Sequence, residues 1–558
     1  MALSRSAFGS ADATKAPEPD FHKLDANEPP GPSTPTRASG VVMLDYQTIK
    51  INGYQPIDLL GFHFLNKFND WLYLGIGGHA PLVNGEYGGF MAFDATIHAE
   101  RRLFGNLSAA VGASLGGGGG GKNVEQSKII SGSGGFMKSY IGLGYHFNDM
   151  SVGVNYSRIR FTNSAIDGSQ LGLYIQAPFS YRVAPYENAG RHLPSKDESD
   201  QSATSSHSDN DLVIFGLDNI IQINPKGSYT KTINLVDAQY NHFLIDNYYI
   251  LFGGSVGYHG LAGYNQVFGG VGYRYSYSSR FNINFQLALG SGGYAPERID
   301  TGSGLLIYPK LSTEYRLSNS IGLLLSSGYL YAPRGSSRNL TLGASLVYHA
   351  SPDGGSAHGD HAATEVAYRG HRFHIFSQTE FKVKVGDRDQ GKVKLLSVQV
   401  DNTVSDNIYI PIQGSIAYNS YFGYPGYGEV LAGIGAQNKY TPNDSFQTFA
   451  QLLIGTNVHG IIVKPALGVN FGLSDRLAVY GQVGSTLSLD NVGLYPKTAQ
   501  IQIDFCRFGF ELSFFTPAIN SPAQRRWHLQ PDPHCVASPT AIAMRRHGSM
   551  PFSARSRA

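Results

Sequence analysis

From Val41 onward this chain alternates apolar and polar residues, in runs of 8 to 15. Phe281, Ile283, Phe285, Leu287 and Leu289 fall on one face; Asn282, Asn284, Gln286, Ala288 and Gly290 fall on the other. Leu107, Ala109, Val111, Ala113 and Leu115 repeat the design against Asn106, Ser108, Ala110, Gly112, Ser114 and Gly116. Side chains of a strand point alternately to its two sides, so this period specifies strands with one apolar and one polar face. A soluble sandwich can alternate in the same way. The number of strands, and polar faces built of small residues, Asn and Gln, disfavour it.

Composition narrows the choice. Only 15% of the 558 residues are charged, against about 25% in soluble domains. Gly (68) and Tyr (34) are abundant. No apolar run reaches the roughly 18 residues of a transmembrane helix. The hydrophobic content is instead spread out, as it is where lipid-facing and lumen-facing residues alternate. Cys506 and Cys535 leave little scope for disulfides or a thiolate metal site. The net charge is +2, and six Arg against one Asp put +5 in the tail from Thr516, so the remainder is near −3. Charge therefore argues against nucleic acid as a partner.

An internal repeat organises the strands. Segments 41–181, 212–349 and 371–515 each read as eight strands. Each carries Asp-x-x-Tyr and then Gly: Asp70, Tyr73, Gly78; Asp246, Tyr249, Gly254; Asp406, Tyr409, Gly414. Each has a Tyr before a long strand, at Tyr87, Tyr264 and Tyr427. Each later has an aromatic before a tight turn, at Tyr145, Tyr315 and Phe471. Turns after even-numbered strands are short: Asn69-Asp70, Gly105-Asn106, Asn148-Asp149. Connections after odd-numbered strands are often long: Gly117–Gly134, Gly292–Ser303, Asp490–Lys497. Linkers occupy 182–211, which is acidic, and 350–370, which is rich in Gly and His. Residues 1–40 form a leader, either a polar disordered segment or the remnant of a longer signal peptide with Ala11-Asp12-Ala13 as its cleavage site. Residues 516–558 form a tail without a strand pattern, expected to be disordered.

Arg507, Gly509, Leu512 and Phe514 fit the pattern polar-x-Gly-x-x-apolar-x-aromatic. Thr341, Gly343, Leu346 and Tyr348 repeat it, and Gln170, Gly172 and Ile175 match in part. The pattern resembles the terminal β-signal of outer-membrane β-barrel proteins. The tail departs from that family, whose members usually end at the terminal aromatic. The resemblance implies a transmembrane antiparallel barrel in the outer membrane of a Gram-negative bacterium. It also implies the barrel assembly machinery, membrane lipid and lipopolysaccharide as partners. Two architectures follow: one barrel of about 24 strands, or three tandem eight-stranded barrels. The single barrel is the expectation, since pairing reads as continuous between copies. A lumen that wide predicts a pore or export channel for solute or polymer. The competing readings are a structural or adhesive scaffold with surface-binding loops, and a lipid-modifying enzyme.

Charged residues on polar faces are the candidate lumen lining. Lys138, Lys310 and Lys464 lie on the sixth strand of each copy; Asp94, His98, Glu100, Arg274, Glu429 and Lys439 lie on the fourth. They read either as a solute filter or as interior ion pairs. The six glycines Gly116–Gly121 lack the Gly-x-x-x-x-Gly-Lys-Ser/Thr spacing of a phosphate loop and are expected to form a flexible outer loop. His349, His358, His361, His371 and His374 cluster in sequence, but the last two alternate faces on a strand, so no metal site or cofactor is expected. Ser139 or Ser157 with His98 or His146 could be proposed as a hydrolase pairing, but no spacing singles it out. The chain is not expected to be an enzyme.

Overall fold

The computed structural model describes residues 36–121, 123–147, 150–183, 192–194, 211–245, 247–293, 298–318, 321–350, 365–385, 388–438, 446–474, 477–489 and 502–518. For a few strand ends and for all of 502–518 it describes the backbone alone. No helix among these residues is long and apolar enough to cross a membrane.

The first eight strands are β1 (Thr36–Ile49), β2 (Ile57–Lys67), β3 (Leu72–Pro81), β4 (Met91–Phe104), β5 (Leu107–Gly119), β6 (Gly135–Phe147), β7 (Met150–Phe161) and β8 (Asp167–Val183). They close into an antiparallel barrel. A short strand, β9 (His192–Pro194), follows. A second closed barrel comprises β10 (Asp211–Gln222), β11 (Ile233–Ile245), β12 (Tyr248–His259), β13 (Asn265–Ser276), β14 (Phe281–Gly293), β15 (Leu305–Arg316), β16 (Ile321–Tyr331) and β17 (Arg338–Ala350). The third runs through β18 (Glu365–Val385), β19 (Arg388–Ser405), β20 (Ile408–Ala417), β21 (Gly428–Gln437), β22 (Phe446–Asn457), β23 (Gly460–Ser474), β24 (Leu477–Ser488) and β25 (Gln502–Ala518). It closes through β18 pairing with both β19 and β25, and β9 extends β18 at Glu365–Ala367.

The three eight-strand copies are therefore real, but the expected barrel of about 24 strands is not. Each eighth strand returns to its own first strand: Val41 pairs with Pro178, Leu212 with His349, and His371 with Phe514. Closing each copy on itself removes both of its edge strands at once. It needs no pairing across the linkers, so continuity of the pattern between copies did not require continuity of the sheet. Several boundaries also move. β1 begins at Thr36, β18 at Glu365, and β25 runs to Ala518. The terminal signal residues lie within β25, where Gly509 pairs with Tyr480 and Phe376; their side chains lie outside the described part.

The alternation is polar inward and apolar outward. β7 shows it most simply: Ser151, Asn155 and Ser157 are buried, while Met150, Val152, Val154 and Tyr156 are exposed. Ile141, Leu173, Leu289 and Leu467 are each more than half exposed. A water-soluble protein does not display such a belt around every sheet. Exposed aromatics gather at the short-turn end: Phe68, Trp71, Phe104, Tyr145, Phe147, Tyr277 and Phe471. Rings of this kind mark a membrane–water boundary. The turns there use local chemistry. Asn69 Oδ1 accepts from the backbone N–H of Trp71 (3.0 Å) and Leu72 (2.8 Å), an Asx turn. Asn148-Asp149 lies outside the described residues.

At the long-connection end each barrel is capped by apolar side chains. Ile57, Leu59, Tyr87, Phe90, Phe136 and Phe161 pack together in the first. Ile220, Ile233, Leu261, Tyr264, Ile299 and Leu330 belong to the second barrel's cluster, and Val383, Val393, Leu395, Tyr421 and Tyr427 to the third's. The connections also join the barrels. Gly88 N–H donates to Gly302 O (2.9 Å) and Leu305 N–H to Leu82 O (3.1 Å), linking first and second. Thr456 Oγ1 donates to Gly257 O (3.3 Å), linking third and second.

The glycine run corrects an expectation. Gly116–Gly119 are not a flexible loop but the end of β5. A Cβ on Gly117 would sit 2.2 Å from Ala417 O, and one on Gly119 would sit 2.8 Å from the Pro425 ring. The missing side chains thus admit the backbone of the third barrel. The connection then forms a short helix, α1 (Val124–Ser131), capped by Asn123 Oδ1 accepting from Gln126 N–H at 2.8 Å. Lys128 of this helix stacks over Tyr424 of the third barrel, 4.6 Å from the ring centre.

Candidate functional site

Three polar interiors are the sites that the strands build. Lys138, Lys310 and Lys464 all point inward and are buried. In a ring of eight, the sixth strand stands three places from the first, so a long side chain can cross the interior. Lys138 reaches Asp45 of β1 in a short ion pair. Lys310 reaches Asp218 of β10 at 3.2 Å, where Tyr308 Oη also donates at 2.8 Å. Lys464 lies between Glu380 of β18 (2.8 Å) and Glu429 of β21 (2.5 Å). One device is repeated in all three copies.

The other expected lining residues also turn inward and are paired. Asp94 accepts from Thr96 Oγ1 at 2.5 Å and lies 3.2 Å from His79 Nε2. His98 Nδ1 is 2.8 Å from Tyr140 Oη. Glu100 accepts from Ser108 Oγ at 2.7 Å and faces His146 at 3.1 Å. Arg274 donates to Asn284 Oδ1 at 3.2 Å, faces Glu314 at 3.6 Å, and stacks on Phe243. Glu429 also accepts from Tyr427 Oη at 2.7 Å. Lys439 lies outside the described residues.

Of the two readings of these residues, the contacts favour interior ion pairs. Asp45, His63, His98, Lys138, Gln378, Glu380, Glu429 and Lys464 are each at most 2% exposed. A water column would wet them. Eight strands enclose an interior that side chains can fill, and the described side chains meet across it here. In the second barrel, a polar cavity of about 10 Å³ among Asp237, Gln239, Tyr249, Asn284 and Lys310 is on the order of one water molecule.

The sequence missed the partners of these lysines. Asp45, Asp218 and Glu380 sit on first strands whose inner faces mix polar and apolar residues, as Met43, Asp45, Gln47 and Ile49 do, so the alternation does not mark them. Acid on the first strand with Lys on the sixth, in every copy, was the available signal. Other interior groups were missed for the same reason: His63 and His79 in the first barrel, and Arg372, 3.1 Å from Asp401, in the third. Among the described residues the clustered histidines do not converge. His349 of the second barrel pairs with Glu314, whereas His374 pairs with Asp401 at 2.8 Å and His371 bonds Asn402 in the third. His358 and His361 lie outside the described residues. Ser157 Oγ donates to Gln47 (2.6 Å), while Ser139 faces outward.

One ionisable group outside the spanning strands is set by burial. His459, in the turn between β22 and β23, is pushed down to about 4 from 6.5 by its dry surroundings. Tyr421 Oη lies 2.6 Å from its Nε2. Between those two values an opened turn takes a proton that the closed turn refuses. The closed turn is therefore fully stable above about pH 6.5 and loses stability as the pH falls toward 4. Once corrected for the intrinsic pH dependence of exchange, the protection of amides at 419–427 and 457–460 should fall as the pH drops through that window, and His459→Gln should flatten the response.

No protein family profile and no curated protein matches this sequence. Among solved structures, a mutant of the ferric enterobactin receptor PfeA of Pseudomonas aeruginosa aligns over 86% of this chain and 80% of its own, at 8% identity and a TM-score of 0.26. The siderophore receptor PirA of the same organism aligns over 86% and 81%, at 9% identity and a TM-score of 0.25. The NanC porin aligns over 54% of this chain and 98% of its own, at 9% identity and a TM-score of 0.15. Likeness this weak says nothing of what the present chain does.

Proposed function

We propose that this protein is an integral outer-membrane scaffold in which three filled barrels carry a joined layer of outer connections. The observation that supports this reading most is the inversion of polarity around sealed interiors. Apolar side chains face outward on all three barrels, while the charges inside are paired, buried and capped by apolar clusters. A filled barrel in lipid is a rigid anchor. Its working surface is then the face where the long connections meet, which is where the barrels bond to one another. Lipid, lipopolysaccharide and the assembly machinery are the partners that such a scaffold requires. The channel reading needed a wide lumen, and that basis disappears with the single barrel.

Conductance decides between scaffold and channel. The purified chain, reconstituted into a planar bilayer, is expected to give no stepwise current above the bare membrane. Reproducible conductance steps of porin size would overturn the scaffold reading in favour of passage.

A further inference from the structure

We propose that the interior of the first barrel binds one divalent transition-metal ion of the zinc class through Asp45, His63 and His79. These three side chains come from β1, β2 and β3, and their ligand atoms all lie within 4.8 Å of one another. Asp45 Oδ1 and His63 Nε2 are 3.0 Å apart. Two ligands on one tetrahedral zinc, each about 2.0–2.2 Å from it, stand roughly 3.3 Å apart. A metal ion can therefore replace the proton these two groups share with little movement, and a turn of the His79 ring completes the set.

Four further observations point to a ligand. First, His79 Nε2 lies 3.2 Å from Asp94 Oδ2, but its Nδ1 has no hydrogen-bond partner among the described residues, although the residue is 2% exposed. A ring nitrogen without a partner in a dry interior is costly unless something binds it. Second, the surroundings suit a cation. Two buried carboxylates lie at the cluster: Asp45, which pairs with Lys138, and Asp94, which faces His79 at 3.2 Å. Third, His63 Nδ1 faces Thr96 Oγ1 at 3.3 Å and Asp94 Oδ1 at 3.9 Å, the kind of outer contact that fixes a metal-binding ring. Fourth, glycines make the room. A Cβ on Gly61 would lie 2.0 Å from Asp45 Oδ1 and 2.8 Å from the His79 ring, and one on Gly77 would lie 2.2 Å from His63 Nδ1.

The repeat supplies an internal control. His79 pairs across the sheet with Gly61, as Ser255 does with Asp237 and Ser415 with Ser397. His63 pairs with Gly77, as Gln239 does with Gly253 and Gln399 with Gln413. Asp45, beside Gly61, corresponds in the same way to Gly216 and Phe376. The sister barrels thus close with Gln, Ser and Gly or Phe at these places. The fold does not require two histidines and a carboxylate there.

The site is enclosed, so the test loads it during folding. The full chain is refolded from denaturant into detergent with Co²⁺ or Zn²⁺, freed of excess metal, and assayed for bound metal and for cobalt d–d absorption. The double variant His63→Gln/His79→Ser carries the residues of the sister barrels and is expected to fold. The wild type should retain one more ion per chain than this variant, with a cobalt spectrum that the variant lacks. Other histidines contribute equally to both proteins and cancel. Equal metal content, or none in either, overturns the proposal. Should the double variant fail to fold, X-ray absorption of the metal-loaded wild type decides: two imidazoles and a carboxylate at about 2.0–2.2 Å support the site, and any other first coordination sphere refutes it.

Discussion

Lys464→Ala is expected to be the most damaging single change in the third barrel. The ammonium lies between Glu380 and Glu429, and all three side chains are almost completely buried. Removing it leaves two carboxylates facing one another without their shared counter-charge. Breaking a buried pair in this way typically costs about 3–5 kcal/mol, and a second stranded carboxylate adds to it. Urea unfolding of the chain in lipid vesicles measures the loss, and a heat-modifiable band on cold gels reports barrel closure. Lys464→Met combined with Glu380→Gln and Glu429→Gln should recover much of the stability, because no charge is then left unpaired. A silent Lys464→Ala, or a triple variant worse than the single one, would mean that this ion pair does not hold the barrel. The equivalent change at Lys138 removes the partner of one carboxylate, Asp45, and should cost less.

Ile141→Arg is expected to damage the protein in lipid and to be nearly harmless in water. Ile141 lies mid-way along β6 and is 62% exposed. On the surface of a soluble protein an Arg there would be solvated, and such exchanges usually stay within about 0.5 kcal/mol. At the midplane of a bilayer the same change costs about 2–4 kcal/mol, falling toward the interfaces. Leu289→Arg in β14 tests the second barrel in the same way, since Leu289 is 54% exposed. A control at the short-turn end, Tyr277→Arg, should cost less than about 1 kcal/mol. Refolding titrations into vesicles give the three values. Equal, small costs at all three positions would place the apolar belt in contact with something other than lipid.

The alternation of side chains was enough to determine the strands, their inward and outward faces, and the three copies of eight. It does so because a strand has only two sides and a sheet in lipid must place opposite chemistry on them. The even–odd rule of connection length was also legible, as was the inward direction of Lys138, Lys310 and Lys464. The partners were less so. Nothing local in Met43-Leu44-Asp45 shows that Asp45 meets a lysine 93 positions later in the chain. Nor does a glycine run declare whether it forms a loop or a surface, and Gly117 and Gly119 became a surface only because Ala417 and Pro425 lie against them.

Closure was decided by tertiary structure alone. The same strands, with the same faces, satisfy one ring of 24 or three rings of eight, because hydrogen bonding between neighbouring strands does not count how many precede it. What distinguishes the two is whether the interior can be filled. Lys138, Lys310 and Lys464 each reach an acid on their own first strand, and such contacts exist only across the short diameter of an eight-stranded ring. Local sequence wrote the wall of each barrel. The size of the ring was set by side chains meeting across its centre.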